Sequence, residues 1–370
     1  MKNKHSIIGH VLTAITIFLI FIILIALDSN NSNKTIETEY RYIPNDFSLH
    51  KELSLKDIEP SLSLEILDES KDIYIPKKNG YRYGPSIIYY EDGSMDAWFA
   101  SNGNNIEWDW ITYRHYENNK WSDEEIVLRP TKKSKDRYST CDPGVIYFND
   151  YYYLGYTSTE NSSNGGVENN IYVARSKNPN GPYEKWNGKG WGKKPKPIIS
   201  YDNNDGAWGA GEISFVIYND ELYCYYSLID LDGSYIKLAR ASLVDDWPNT
   251  IEEVDKVIYR HNSQGSVDVV YNDDYNKFLA ICIENSFEMD SNICIFESDD
   301  GINFRKSDNV KDNINMFAHN MGLSKKCDGH ISMDDELLLG YAYSKSSYTI
   351  WGRWATCLHK VKLKLIPRID

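Results

Sequence analysis

The sequence predicts an all-β fold, a five-bladed β-propeller behind an N-terminal transmembrane signal-anchor. Three observations lead there. The first 28 residues pair two lysines with a long apolar run. No convincing amphipathic helix follows residue 50. After it, a strand–turn–strand pattern recurs five times.

Lys2 and Lys4 precede an apolar stretch from Ile7 to Leu27 that only Gly9, His10, Thr13 and Thr16 interrupt. As a helix, this stretch is long enough to span a hydrocarbon core. The preceding lysines place the N-terminus in the cytoplasm. The Ile-Ala-Leu-Asp exit at Asp28 is a poor signal-peptidase site, so residues 1–28 read as an uncleaved anchor, with a cleaved signal peptide as the alternative. The chain beyond is then extracytoplasmic, membrane-anchored or secreted. Residues 29–59 are largely polar and read as a linker, leaving 60–370 for the folded domain.

The formal net charge is −14, divided as +1 on residues 1–28 and −15 on the rest. That balance argues against a nucleic-acid partner and against docking on anionic lipid through basic charge. The apolar fraction of 41% suffices for a packed core. Six cysteines allow disulfides in an exported chain, and Cys282 and Cys294 lie on two arms of one predicted hairpin. Buried thiols are an equally good reading, and no C-x2-C pair suggests zinc. No cofactor is called for. A structural calcium ion in the channel is left open, since Asp202-Asn-Asn-Asp-Gly206 has part of a calcium loop but lacks its terminal Glu.

The repeats begin at Gly84, Asp142, Glu212, Ser266 and Met321, at spacings of 58, 70, 54 and 55 residues. Each has a strand, a polar turn and a second strand. The turn reads Tyr147-Phe-Asn-Asp150, Tyr218-Asn-Asp220 and Tyr271-Asn-Asp-Asp274 in three copies, and Met333-Asp-Asp-Glu336 in the weaker fifth. The first four copies lead into another strand pair closing on Trp121, Trp186, Trp247 and Phe304. Four strands per unit are the form of a propeller blade.

In a propeller the first strand of each blade lines the central channel. Asp142 opens the second unit and Glu212 the third, so both carboxylates face one funnel. Paired carboxylates on one pocket are what glycosidic cleavage requires: one protonates the leaving oxygen, the other activates water or attacks. Asp109, between Trp108 and Trp110, and Asp268, between Val267 and Val269, are further candidate acids. Trp108, Trp110 and Trp208 offer faces for sugar rings, or ordinary blade packing. Arg82 stands beside the start of blade one as a candidate substrate contact.

Together, the five-unit repeat, Asp142-Pro-Gly-Val145, Gly211-Glu-Ile-Ser-Phe215 and the run from Tyr172 to Trp186 resemble glycoside hydrolase family 43 and its five-bladed relatives. The resemblance covers roughly residues 75–366. It implies a xylosidase- or arabinofuranosidase-like hydrolase of an extracellular oligo- or polysaccharide. That family uses a base Asp in blade one, an orienting Asp in blade two and an acid Glu in blade three. Asp142 matches the second and Glu212 the third, while Gly84 stands where the base belongs. Asp109 or Asp268 is then the replacement base. Alternatively, catalysis is lost and a carbohydrate-binding propeller remains, or the chain is an adhesion or scaffold protein. His319 would be the family's histidine near the channel centre.

Overall fold

The computed structural model describes residues 59–76, 80–161, 166–259, 265–346 and 352–368. The expected anchor over 1–28, and all but the last residue of the expected linker, lie outside the described residues. Among the described residues no helix is long and apolar enough to cross a membrane. The fold they form is all-β. Its one helical turn, Trp247–Thr250, is a 3-10 turn that seats the buried Trp247 ring.

Five sheets, antiparallel except where His330–Ile331 pairs parallel to Val267–Asn272, make five blades. The innermost strands are Arg82–Tyr89, Cys141–Phe148, Gly209–Tyr218, Val267–Asn272 and His319–Leu323, and they contact one another around the ring. The sequence explains the tight turns. In blades II and III the Asn149-Asp150 and Asn219-Asp220 pairs both hold positive φ, between 48° and 63°. Two successive left-handed residues match the twist of the flanking strands, and Asn and Asp tolerate that backbone best after Gly.

The core lies between blades. Trp247 of blade III meets Tyr153 of blade II edge to face at 5.9 Å and packs on Phe215 of its own blade at 6.0 Å. Between blades I and II, Trp98 packs against Tyr113 and Tyr152. Each fully buried ring contributes about 1.5–3 kcal/mol or more by leaving water. Close approach of the inner strands requires a missing side chain at Gly144, where a Cβ would lie 1.9 Å from the Ile213 carbonyl oxygen.

Two features lie beyond the repeat pattern. The ring is closed by Ser61–Ile66, which pairs residue for residue with the last strand, Trp354–Ile366. The fifth unit does not make the tight hairpin expected at Met333–Glu336. Its strands His319–Leu323 and Leu337–Ser344 are joined by a segment that crosses the far end of the channel. The carbonyls of Lys325, Cys327, Asp328 and Gly329 accept from Tyr89, Tyr147, Ile217 and Tyr271, the distal residues of four inner strands, at 2.9–3.1 Å. None of the six cysteines forms a disulfide. Cys282 and Cys294 face each other across adjacent strands, buried in the core between blades III and IV.

Candidate active site

Four of the five inner strands carry the same irregularity. The register shifts between Tyr83 and Ser86, Cys141 and Gly144, Gly211 and Ser214, and His319 and Met321. In each bulge one residue takes a left-handed backbone: Gly84 at φ 57°, Asp142 at 48°, Glu212 at 54° and Asn320 at 42°. A bulge re-aims its side chain out of the sheet's alternation. Here it places Asp142, Glu212 and Asn320 on one cavity at the channel mouth. Blade IV has no such shift in the strand pair Val267–Asn272 and Lys277–Glu284.

The cavity has a volume of about 580 Å³. Asp109, Asp142 and Glu212 line it, together with Tyr81, Tyr83, Trp108, Trp208 and Asn320. The Asn320 side-chain nitrogen donates to Asp142 Oδ1 at 3.2 Å and to Glu212 Oε1 at 3.5 Å. One amide thus bridges the two carboxyls. The other Glu212 oxygen accepts from Ser227 Oγ at 2.6 Å, and the Glu212 backbone N–H donates to Thr157 Oγ1 at 2.9 Å. Burial, and next the negative charge of Glu212, push Asp142 up to about 8. Asp142 therefore holds its proton more tightly with Glu212 beside it, and the two carboxyls form a dyad.

Asp109 stands on the blade I side of the cavity. Its carboxylate accepts from Tyr81 Oη at 2.5 Å and Ser139 Oγ at 3.0 Å, and Tyr83 is a third donor. Burial pushes it up to about 6 against those hydrogen bonds. At neutral pH it is mainly a carboxylate. It thus stands ready to accept a proton, in the same cavity as a dyad ready to give one.

The remaining candidates separate from this cluster. Asp268 lies deeper, in the channel, where Lys325 Nζ is 2.6 Å from Oδ1, Ser214 Oγ donates to Oδ1 at 2.6 Å, and the Leu323 N–H donates to Oδ2 at 2.9 Å. Trp208 lines the cavity, as does Trp108, which stacks on Tyr138 with ring centres 5.1 Å apart. Trp110 points away, beneath the Arg129 guanidinium, and its indole N–H donates to Glu107. Strand alternation also turns Arg82 away from the cavity that its neighbours Tyr81 and Tyr83 line. Its guanidinium forms a two-pronged pair with Glu124 and lies over the Tyr74 ring. His319 is fully buried among Trp354, Phe287 and Tyr83, and burial holds it down at about 3, a neutral imidazole. Among the described residues no group of three or more His, Cys, Asp or Glu side chains is arranged to hold a metal ion.

Sequence reasoning missed Asn320, Tyr81 and Tyr83 as site residues. The signal for Asn320 was present: it occupies, in the fifth unit, the place that Asp142 and Glu212 hold in theirs. It is visible only once the bulges are aligned.

No protein-family model and no curated protein matches the chain. Solved structures do. A family 117 glycoside hydrolase produced by the marine bacterium Zobellia galactanivorans is 14% identical, with a TM-score of 0.57 over 83% of this chain and 91% of the other. A thermostable family-43 glycoside hydrolase is 15% identical, with a TM-score of 0.58 over 81% and 97%. The α-L-arabinofuranosidase of Podospora anserina, in complex with cellotriose, is 12% identical, with a TM-score of 0.55 over 80% and 96%. At these identities the likeness is one of fold.

Proposed function

We propose that the protein is a glycoside hydrolase acting on an extracellular glycan, xylosidase- or arabinofuranosidase-like in its choice of bond. The observation that carries this reading is the Asp142–Glu212 dyad on one amide, with a third carboxylate, Asp109, in the same cavity. Glu212 donates a proton to the leaving glycosidic oxygen. Asp142, beside it, holds the pair's proton through burial and next through like-charge repulsion. Asp109, ionised above about 6, accepts the proton of the attacking water. The Trp108 and Trp208 faces seat sugar rings. The propeller it shares with known glycoside hydrolases supports the reading, and the leader over residues 1–28 supports membrane-anchored work outside the cytoplasm.

The test is turnover of aryl β-xylosides and aryl α-L-arabinofuranosides by the full chain. Glu212→Gln abolishes release of the aryl group from substrates with poor leaving groups, and Asp109→Asn lowers kcat by about 10²–10⁴, the usual contribution of a positioned acid or base. Unchanged turnover in folded Glu212→Gln rejects the assignment of the acid. Calorimetric binding of an oligosaccharide with no product by chromatography would leave a lectin-like propeller instead.

A further inference from the structure

Two carboxyls that share one proton in a buried site tend to close on each other through a direct O–H···O bond, which locks the proton away from any substrate. Here an amide donor stands on both. Asp142 Oδ1 and Glu212 Oε1 both point at a single nitrogen, Asn320 Nδ2, at 3.2 and 3.5 Å. The amide nitrogen is the atom that faces them. The Asn320 backbone is held by the same left-handed bulge as its two partners. Its side chain therefore reaches both from a third blade.

We infer that Asn320 is a positioning residue that wedges the dyad open and keeps its proton available to the glycosidic oxygen. The inference rests on the proposed hydrolase reading for its purpose, though its physical content is the separation of the two carboxyls.

Both facing oxygens accept from Asn320. Ser227 Oγ occupies the other Glu212 oxygen. The groups that face the dyad from neighbouring elements are Tyr83, Cys141 and Asp109 on the Asp142 side, and Thr157 between the two acids. Below, Asp268 is already paired with Lys325, and His319 next to Asn320 is buried and neutral.

The experiment follows the carboxyl carbons of Asp142 and Glu212 by 13C NMR through a pH titration of the full chain, assigned with Asp142→Asn and Glu212→Gln. In Asn320→Ala the lost donor and the direct carboxyl–carboxyl bond both favour retention of the shared proton. The upper titration of the pair rises by at least about one pH unit. In parallel, kcat for the aryl-glycoside falls about 10–100-fold with KM nearly unchanged, as expected for a weakened acid. Asn320→Asp is the second variant. It keeps the shape and the tolerance for positive φ but adds a charge, and it moves the upper titration the same way. Titrations in both variants within about 0.3 unit of the parent, with the fold intact by circular dichroism, would overturn the wedge. The titration needs no turnover. A dyad that responds to Asn320 in a protein inert to aryl-glycosides would sink the hydrolase reading and leave the wedge standing.

Discussion

A carboxyl that folding holds above its ordinary pKa weakens the folded state wherever it must ionise. Asp142 is such a group, moved from 3.8 up to about 8 by burial and by Glu212. The favourable contribution of its protonated form is fully present below 3.8 and is lost as the pH rises through about 8. Asp142→Asn removes that dependence and keeps a side chain that tolerates φ 48°. The variant's melting temperature is expected to exceed the parent's at pH 8, and the two to converge towards pH 4. Parallel melting curves across that range would mean that Asp142 is not held protonated. Gly84 occupies the same backbone state without a side chain. A Cβ there would lie 3.9 Å from Asp142 Oδ1 and 4.0 Å from the Asn320 Cβ, in ordinary contact. The first blade has room for a side chain there, which at φ 57° would carry the same backbone strain as Asp142 and Glu212.

Register decides what each strand can present. Three blades show how a bulge turns an Asp, a Glu or an Asn out of the sheet and onto the cavity. Blade IV has an unbroken inner strand, and its acid stays in the channel. Asp268 is matched there by Lys325, whose side chain is 2% exposed. Lys325→Met strips Asp268 of its countercharge and is expected to cost about 3–5 kcal/mol by denaturant unfolding. A loss below 1 kcal/mol would show that water reaches Asp268 instead. This contrast marks how far the sequence could be read. The strands, the Asn-Asp turns and the order of the blades were legible, because alternation and left-handed turn residues are local properties. The places of Asp142 and Glu212 at the starts of their strands were legible too. The bulges were not, since a register shift is a relation between two strands. For the same reason Asp268 looked equivalent to the others, and Asn320 did not stand out. Arg82 and Trp110 could be placed near the site by sequence, but which way they face depends on strand pairing.

Closure of the ring joins the beginning of the propeller to its end. Leu62 and Leu64 of the first strand are buried in the core that blades IV and V share. Glu297 of blade IV holds the same strand by accepting from the Leu62 N–H at 2.9 Å and Ser61 Oγ at 3.0 Å. Leu64→Ala is expected to cost about 2–5 kcal/mol, and a loss under 1 kcal/mol in denaturant unfolding would place the strand outside the cooperative core. Blade I, II, III and IV strands all end against carbonyls of the segment between the two first strands of blade V. That segment leaves the ribosome after the other four blades. Its docking sites are complete only when all four stand in their ring, so it works as a latch whose contacts are distant in sequence. Once set, it ties the amides of Tyr89, Tyr147, Ile217 and Tyr271 to one piece of chain. Deuterium should therefore reach those four amides together, through a single opening of the latch, rather than blade by blade.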